Sequence, residues 1–302
     1  MVKGVIFAGG YGKRLKPITD KIPKTLIEIR KGYTILDRQL LDFKYAGIDD
    51  IYLLVGYKHQ IIEKRYGKTW KGLNLHYLIE KKPMGTLWAM KNCSDYVNDN
   101  IVVRNGDTIS DINLKDFAQF SESKNYYLTI ALTKMKSPYA IINIKDDQIV
   151  NFIEKPLLNL YINAGIYYLK KDSFKYLNEK YDNKEIEKSF FPKMVDLGLA
   201  GSYIDDSKWF PVDNFKDLEE LRKEYIGRKD REYGYIKKIK NTYEIYIKKK
   251  YVAKIGLKGN FHLIRGKGIL NKNFEVDQGY AFLSKETFSY YALENSIIVV
   301  NK

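Results

Sequence analysis

Short apolar runs alternate with segments of helical spacing through the first hundred residues. Val5-Ile-Phe-Ala8 is a continuous apolar run of the kind a strand covered on both faces needs, and it opens directly into Gly9-Gly10-Tyr11-Gly12. Ile35, Leu36, Leu40, Leu41 and Phe43 recur at helical spacing over 35–46, and Ile51 to Val55 reads as a strand. Residues 58–66 then read as a helix, Leu73 to Ile79 as extended chain, 86–93 as a helix and Ile101 to Val103 as a strand. Strands separated by helices of about 10–15 residues form βαβ units, so the pattern predicts an α/β fold built on a doubly wound, mixed but mainly parallel sheet. Between 127 and 170 the runs Tyr127–Leu132, Ala140–Ile144, Ile149–Ile153 and Gly165–Leu169 predict antiparallel strands added at one side of that sheet. Helical spacing returns at 186–197 and 214–226.

The pattern breaks after Pro211, the last of seven prolines. Residues 223–231 are charged and poor in apolar side chains, as a connector would be. From 233 to 302 come short extended runs (Tyr243–Ile247, Tyr251–Ile255, Gly279–Leu283, Ser296–Val300) with Gly and Asn between them and no helical pattern. The expected organisation is a main domain over 1–228 and a small all-β domain over 233–302.

Composition narrows the function without naming it. The 302 residues carry 52 Lys and Arg against 37 Asp and Glu, a net charge of +15, with 45% apolar residues to form a core. The charge suits phosphate ligands, but it is dispersed and contains no dense basic run, so no nucleic-acid partner is expected. Cys93 is alone and cannot form an internal disulfide, and three histidines leave little for a Cys/His metal centre. His59, His76 and Cys93 read as packing or surface residues, and His262 has no second histidine nearby. No apolar stretch reaches membrane-spanning length, so a cytoplasmic, non-membrane protein is the expectation.

Candidate chemistry begins at the first glycines. In Gly9-Gly10-Tyr11-Gly12-Lys13-Arg14-Leu15 the glycines let backbone N–H groups approach an anion, and Lys13 and Arg14 add charge. The dinucleotide fingerprint fails, because Leu15 stands where its third glycine belongs. A Walker A loop also fails, because Gly67-Lys68-Thr69 is preceded by Ile62 and not by glycine. The loop continues through Pro17, Thr19 and Pro23-Lys24-Thr25-Leu26, so that Gly10, Arg14 and Lys24 can converge on one polyphosphate.

The stretch Gly9-Gly-Tyr-Gly-Lys-Arg-Leu-Lys-Pro-Ile-Thr19 … Pro23-Lys-Thr-Leu26 closely resembles the signature GxGxRLxPxT…PKxL of the sugar-1-phosphate nucleotidylyltransferases. Lys13 departs from it, since the family usually has Thr or Ser there. Further matches follow in the family's order: Glu80 with Pro83-Met84-Gly85-Thr86, Asn105-Gly106-Asp107, Glu154-Lys155-Pro156, Asn163-Ala164-Gly165, and Asp213 in Trp209-Phe-Pro-Val-Asp213-Asn214. At the last of these the family often has Gly where Asn214 stands. The resemblance covers residues 1 to about 226, and Asn105-Gly-Asp-Thr108 and Glu187-Lys-Ser-Phe-Phe-Pro192 look most like the mannose- and heptose-phosphate guanylyltransferase branch.

The resemblance implies a Rossmann-like nucleotidyltransferase fold and a reaction of a nucleoside triphosphate with a sugar 1-phosphate, giving a nucleotide sugar and pyrophosphate. It implies that Ala8, Gly9, Gly10, Gly12, Glu80, Gly85 and Thr86 bind the nucleotide and that Arg14 and Lys24 hold its triphosphate. It implies further that Lys155 orients the attacking phosphate, that Asn105, Glu154, Asn163 and Gly165 contact the sugar phosphate, and that Asp107 and Asp213 hold Mg²⁺.

Each residue also has a plainer reading. Asn-Gly-Asp is turn chemistry anywhere, Asp213 suits a helix N-cap, Glu154 and Lys155 suit a surface ion pair, and Asn163 suits a strand edge. Glu80 bears on the base, because a carboxylate accepts guanine N1–H and N2–H₂ together but opposes a uracil carbonyl, which favours GTP. Two other functions compete: a cytidylyltransferase acting on a non-sugar phosphate such as phosphocholine, and a non-catalytic homologue that binds nucleotide sugars. The 233–302 segment faintly resembles half of a cupin-like roll. It is expected to pack on the catalytic body or to mediate homo-oligomer assembly.

Overall fold

In a computed structural model, which describes residues 1–301, the strand Val2–Ala8 lies inside an eight-stranded sheet. Asp50–Val55 and Asn100–Asn105 flank it, both parallel to it. Leu73–Ile79 continues in parallel beyond Asp50–Val55, and the short Thr69–Trp70 closes that edge antiparallel. On the other side Leu157–Leu169 runs antiparallel to Asn100–Asn105, followed by Leu128–Lys136 and then Ala200–Ile204. The sheet is therefore mixed and mainly parallel, as its sequence pattern predicts.

Both faces of the sheet are covered. Ile6 and Ala8 pack with Leu36, Leu40 and Phe43 of the helix Ile35–Ala46, while Val5 faces Leu87, Met90 and Cys93 of the helix Thr86–Ser94. The first of these helices starts where it does because Thr34 and Asp37 form a reciprocal capping box. It ends at Gly47, whose φ of 73° suits a left-handed terminus. No helix among the described residues is long and apolar enough to cross a membrane.

Two antiparallel sheets follow. One has six strands in the order Arg228–Arg231, Gly234–Ile239, Thr242–Ile247, Ser296–Asn301, Gly259–Arg265, Ala281–Ser284. The other has four, Val252–Ile255, Phe288–Ala292, Gly268–Leu270 and Phe274–Val276. Ile245, Phe261, Phe288, Ile298 and Val300 share the core formed with them.

Two expectations change. The runs near 140–153 do not join the central sheet; Ile141–Lys145 and Gln148–Ile153 pair only with each other. Residues 223–231 are not a connector: Lys223 to Tyr225 end the helix Phe215–Tyr225, and Arg228–Arg231 is already a strand of the larger C-terminal sheet.

A buried ionic cluster joins the two regions. Arg38 and Arg104 both donate to Asp42, and Arg38 Nη2 also reaches Asp111 Oδ1 at 3.2 Å. Arg228 chelates Asp111 and donates Nε–H to Asp230 Oδ1 at 2.8 Å. Burial pushes the Asp42 and Asp111 carboxyls up, but the guanidinium groups of Arg38, Arg104 and Arg228 outweigh it and hold both below the ordinary range. Beside this cluster, Gln39 Nε2 donates to the carbonyls of Asn105 and Thr108, 2.8 Å each, pinning the loop between them.

Candidate active site

Val2–Ala8 and Asn100–Asn105 end side by side, with Phe7 in register with Asn105. The loops that leave these ends form a crevice at the carboxyl edge of the sheet, where doubly wound folds bind ligands. A cavity of about 330 Å³ lies there. Gly9, Gly10 and Tyr11 line one part of it, Lys24 and Thr25 another, and Asn105, Gly106 and Asp107 a third. Gly106 is required by space: a Cβ there would lie 2.0 Å from the Phe7 carbonyl oxygen.

Asp213 arrives from far along the chain. Trp209–Pro211 pairs antiparallel with Thr108–Ser110, and Val212 N–H donates to the Asp107 carbonyl at 2.9 Å. Asn214, and not Asp213, caps the following helix, its side chain accepting from Asp217 N–H at 3.1 Å. The Asp213 carboxylate therefore faces the loop cations. Lys24 Nζ lies 2.9 Å from Asp107 Oδ2 and 3.3 Å from Asp213 Oδ1, and Arg14 Nη2 donates to the same Asp213 oxygen at 2.8 Å. Two carboxylates and two cations thus meet at one point beside the cavity.

The opposite wall comes from 80–92. Glu80 lines the cavity and accepts the Met84 N–H, so its carboxylate also ties the turn that carries Pro83 and Gly85. Gly85 and Thr86 line it too, and the segment 184–187 clasps them. Ile186 N–H donates to Thr86 Oγ1 at 2.8 Å, and Thr86 Oγ1–H donates to Glu187 Oε2 at 3.3 Å. Gly85 has φ of 93°, and a Cβ on it would come within 2.4 Å of the Lys184 carbonyl.

Of the remaining sequence candidates, Ala8 lines the cavity, while Gly12 stands just outside it at the start of the turn Lys13–Leu15. Asn105 also belongs to a polar cluster next door. Tyr167 OH accepts from Asn163 Nδ2 at 2.9 Å and from Asn105 Nδ2 at 3.4 Å, and Gly165 N–H donates to Asn163 Oδ1 at 2.8 Å. Burial pushes the Tyr167 hydroxyl well above its usual range, so it stays protonated. Glu154 and Lys155 are not among the cavity's lining residues; they pair with each other at 3.3 Å, Glu154 exposed and Lys155 half-buried. Lys155 sits at φ 46°, an uncommon conformation for a residue with a Cβ.

Several lining residues escape the sequence reading. Trp88 and Asn92, one helical turn apart, form a wall, and the Tyr11 ring lies 5.0 Å from that of Tyr57, tilted by 49°. Glu187 enters the site from the segment Glu187–Pro192, whose sequence alone points to no role in binding. Its signal was the Thr86 contact, which only the fold reveals.

The nucleotidyl transferase family model matches residues 3–228. A mannose-1-phosphate guanyltransferase of Saccharomyces cerevisiae is 32% identical over 72% of this chain and 63% of its own length. A D-glycero-alpha-D-manno-heptose 1-phosphate guanylyltransferase of Campylobacter jejuni is 33% identical over 67% of this chain and 97% of its own. The solved structure of HddC from Yersinia pseudotuberculosis complexed with GMP-PN superposes with a TM-score of 0.58 at 25% identity, covering 74% of this chain and all of that one. The match thus spans less than two thirds of the yeast relative, and most of the two antiparallel sheets lies beyond the family model. On the matched residues the chain belongs to the nucleotidyl transferase family.

Proposed function

We propose that the chain is a sugar-1-phosphate guanylyltransferase, converting GTP and a sugar 1-phosphate into a GDP-sugar and pyrophosphate. The observation that carries this reading is the meeting of Lys24, Arg14, Asp107 and Asp213 beside a glycine-walled cavity. A phosphate oxygen of the sugar phosphate bonds to the α-phosphorus as the bond to the α–β bridging oxygen breaks, and pyrophosphate leaves with that electron pair. Arg14 and Lys24 neutralise the triphosphate and the charge that develops on the leaving group. The backbone of Gly9 and Gly10 admits the phosphates closely, and the Thr25 hydroxyl, buried against the cavity with no partner among the described residues, offers one further donor.

The donor set fits Mg²⁺. Asp107 and Asp213 already share one cationic atom, Lys24 Nζ, and Mg²⁺ typically takes one or two carboxylates with substrate phosphates. When bound there it would supply Lewis-acid charge to the phosphoryl oxygens. Glu80 presents an acceptor to the guanine N–H edge, with one of its oxygens already engaged by Met84. Asn105, Asn163 and Gly165 form the sugar side; Glu154 and Lys155, which pair with each other outside the cavity, are assigned to it by the resemblance alone.

The mannose- and heptose-phosphate guanylyltransferase relatives support this reading over a phosphocholine cytidylyltransferase or a silent regulatory homologue. Its test is to incubate the chain with GTP, Mg²⁺ and mannose 1-phosphate or a manno-heptose 1-phosphate and to resolve the products by anion exchange. A GDP-sugar peak formed together with pyrophosphate supports the reading. Activity with CTP and phosphocholine alone, or nucleotide-sugar binding without turnover, overturns it.

A further inference from the structure

The segment 139–161 carries 11 of the 27 large apolar side chains exposed among the described residues, a density that a solvated loop does not have. Its hairpin strands, Ile141–Lys145 and Gln148–Ile153, pair with no other strand among the described residues. Ile142 stands opposite Phe152 and Ile144 opposite Ile149, so these four share one face, and each is at least 44% exposed. Ile141 and Ile153 oppose each other on the second face. An isolated two-stranded hairpin is marginal in water, and one with apolar side chains turned outward calls for a covering surface. This chain's own described residues do not supply it.

We propose that the hairpin is the surface through which two copies of the chain associate, apolar face against apolar face, antiparallel about a two-fold axis. The charges are arranged for that pairing. The tip carries Asp146 and Asp147 against the single Lys145, a net −1, and the base, where Leu128–Lys136 leads into the hairpin, carries the exposed Lys134 and Lys136 beside the self-neutralising Glu154–Lys155 pair, a net +2. Antiparallel stacking brings the acidic tip of each copy over the basic base of the other, twice per dimer, which is the self-complementarity an isologous contact requires. A parallel arrangement would set tip against tip.

The same charges argue against a lipid surface. Residues 139–161 sum to −1 in a chain of net +15, and the leading Asp146-Asp147 pair would be repelled by anionic headgroups. In extent, 23 residues are of the order of the roughly 20–30 per side found in standard interfaces. This contact is separate from the β sheets of the C-terminal region, which already pack on the body through Arg228, Lys249 and Lys250.

Sedimentation velocity on the full chain tests the proposal by mass, independently of turnover. The wild type is expected to sediment as a dimer, and Ile144→Asp with Phe152→Asp to halve the mass while leaving the circular dichroism of the folded chain unchanged, since both side chains are exposed within one chain. Asp146→Lys with Asp147→Lys should weaken the dimer, and adding Lys134→Asp with Lys136→Asp should restore it. A monomeric wild type at tens of micromolar overturns the proposal, as does a dimer that survives the two apolar-to-Asp changes. Co-flotation of the wild type with phosphatidylglycerol vesicles, lost in the Ile144→Asp/Phe152→Asp variant, would assign the hairpin to a membrane and overturn it too.

Discussion

Arg228 holds both carboxylate oxygens of Asp111, a residue 117 positions earlier, through Nη1 at 3.0 Å and through Nη2. Both side chains are almost fully buried. Arg228 begins the first strand of the C-terminal sheets, and Asp111 follows the strand Thr108–Ser110, which starts directly after Asp107. The β region is therefore fastened beneath the carboxylate loop of the candidate site.

Removing one partner of such a pair leaves a buried charge uncompensated. Arg228→Met is expected to lower the stability of the whole chain by about 3–5 kcal/mol, read as a shift in the urea midpoint at constant slope. An unchanged midpoint would mean that solvent reaches Asp111 and that the two regions are not electrostatically joined.

The same cluster sets the acid limit. Asp42 and Asp111 have carboxyl pKa values held below the unfolded one, so their stabilising contribution is fully present above about pH 4 and is lost as pH falls through the folded values. The melting temperature should fall steeply below that pH, and the fall should be shallower in Asp111→Asn, whose residual side chain does not titrate. A melting temperature flat through the acid range would contradict the assigned charges.

At the site, Asp107→Asn and Asp213→Asn should each lower turnover by at least ~100-fold with little change in folding, because both carboxylates are partly solvent-facing. Lys24→Ala should impair synthesis and pyrophosphorolysis together, since it acts on the pyrophosphate in both directions. Near-normal turnover in any of the three would remove that residue from the phosphate site.

Gly85→Ala addresses the nucleotide wall. The new methyl would meet the Lys184 carbonyl and force a left-handed backbone on alanine, at a cost of roughly 1–3 kcal/mol. Nucleotide affinity, followed by quenching of the nearby Trp88, should weaken about tenfold or more. Unchanged affinity would show that the clasp by 184–187 does not shape the pocket.

The sequence made part of this site legible because the relevant residues are contiguous. Gly9 to Lys24 form one loop on one strand, so strand, glycines and cations could be read in order. Asp213 joined that set only through a resemblance; its physical link is the pairing of Trp209–Pro211 with Thr108–Ser110, a three-residue strand too short to announce itself. The buried cluster was invisible for a different reason. Arg38 and Asp42 have the i, i+4 spacing of a solvated helix pair, and nothing local says that Arg104 and Lys248 close over them. The hairpin failed in the opposite sense: its dense apolar runs read as covered sheet strands, yet within one chain they are exposed.

Base choice tests guanylyl transfer most directly. Pyrophosphate release should be followed with GTP, ATP, CTP, UTP and dTTP, each against a panel of sugar 1-phosphates with Mg²⁺ present. The carboxylate of Glu80 on the cavity wall predicts kcat/KM for GTP above that for UTP and dTTP, with Glu80→Gln narrowing the gap. A preference for UTP or dTTP of tenfold or more would contradict the account, and so would an absence of turnover with every sugar phosphate.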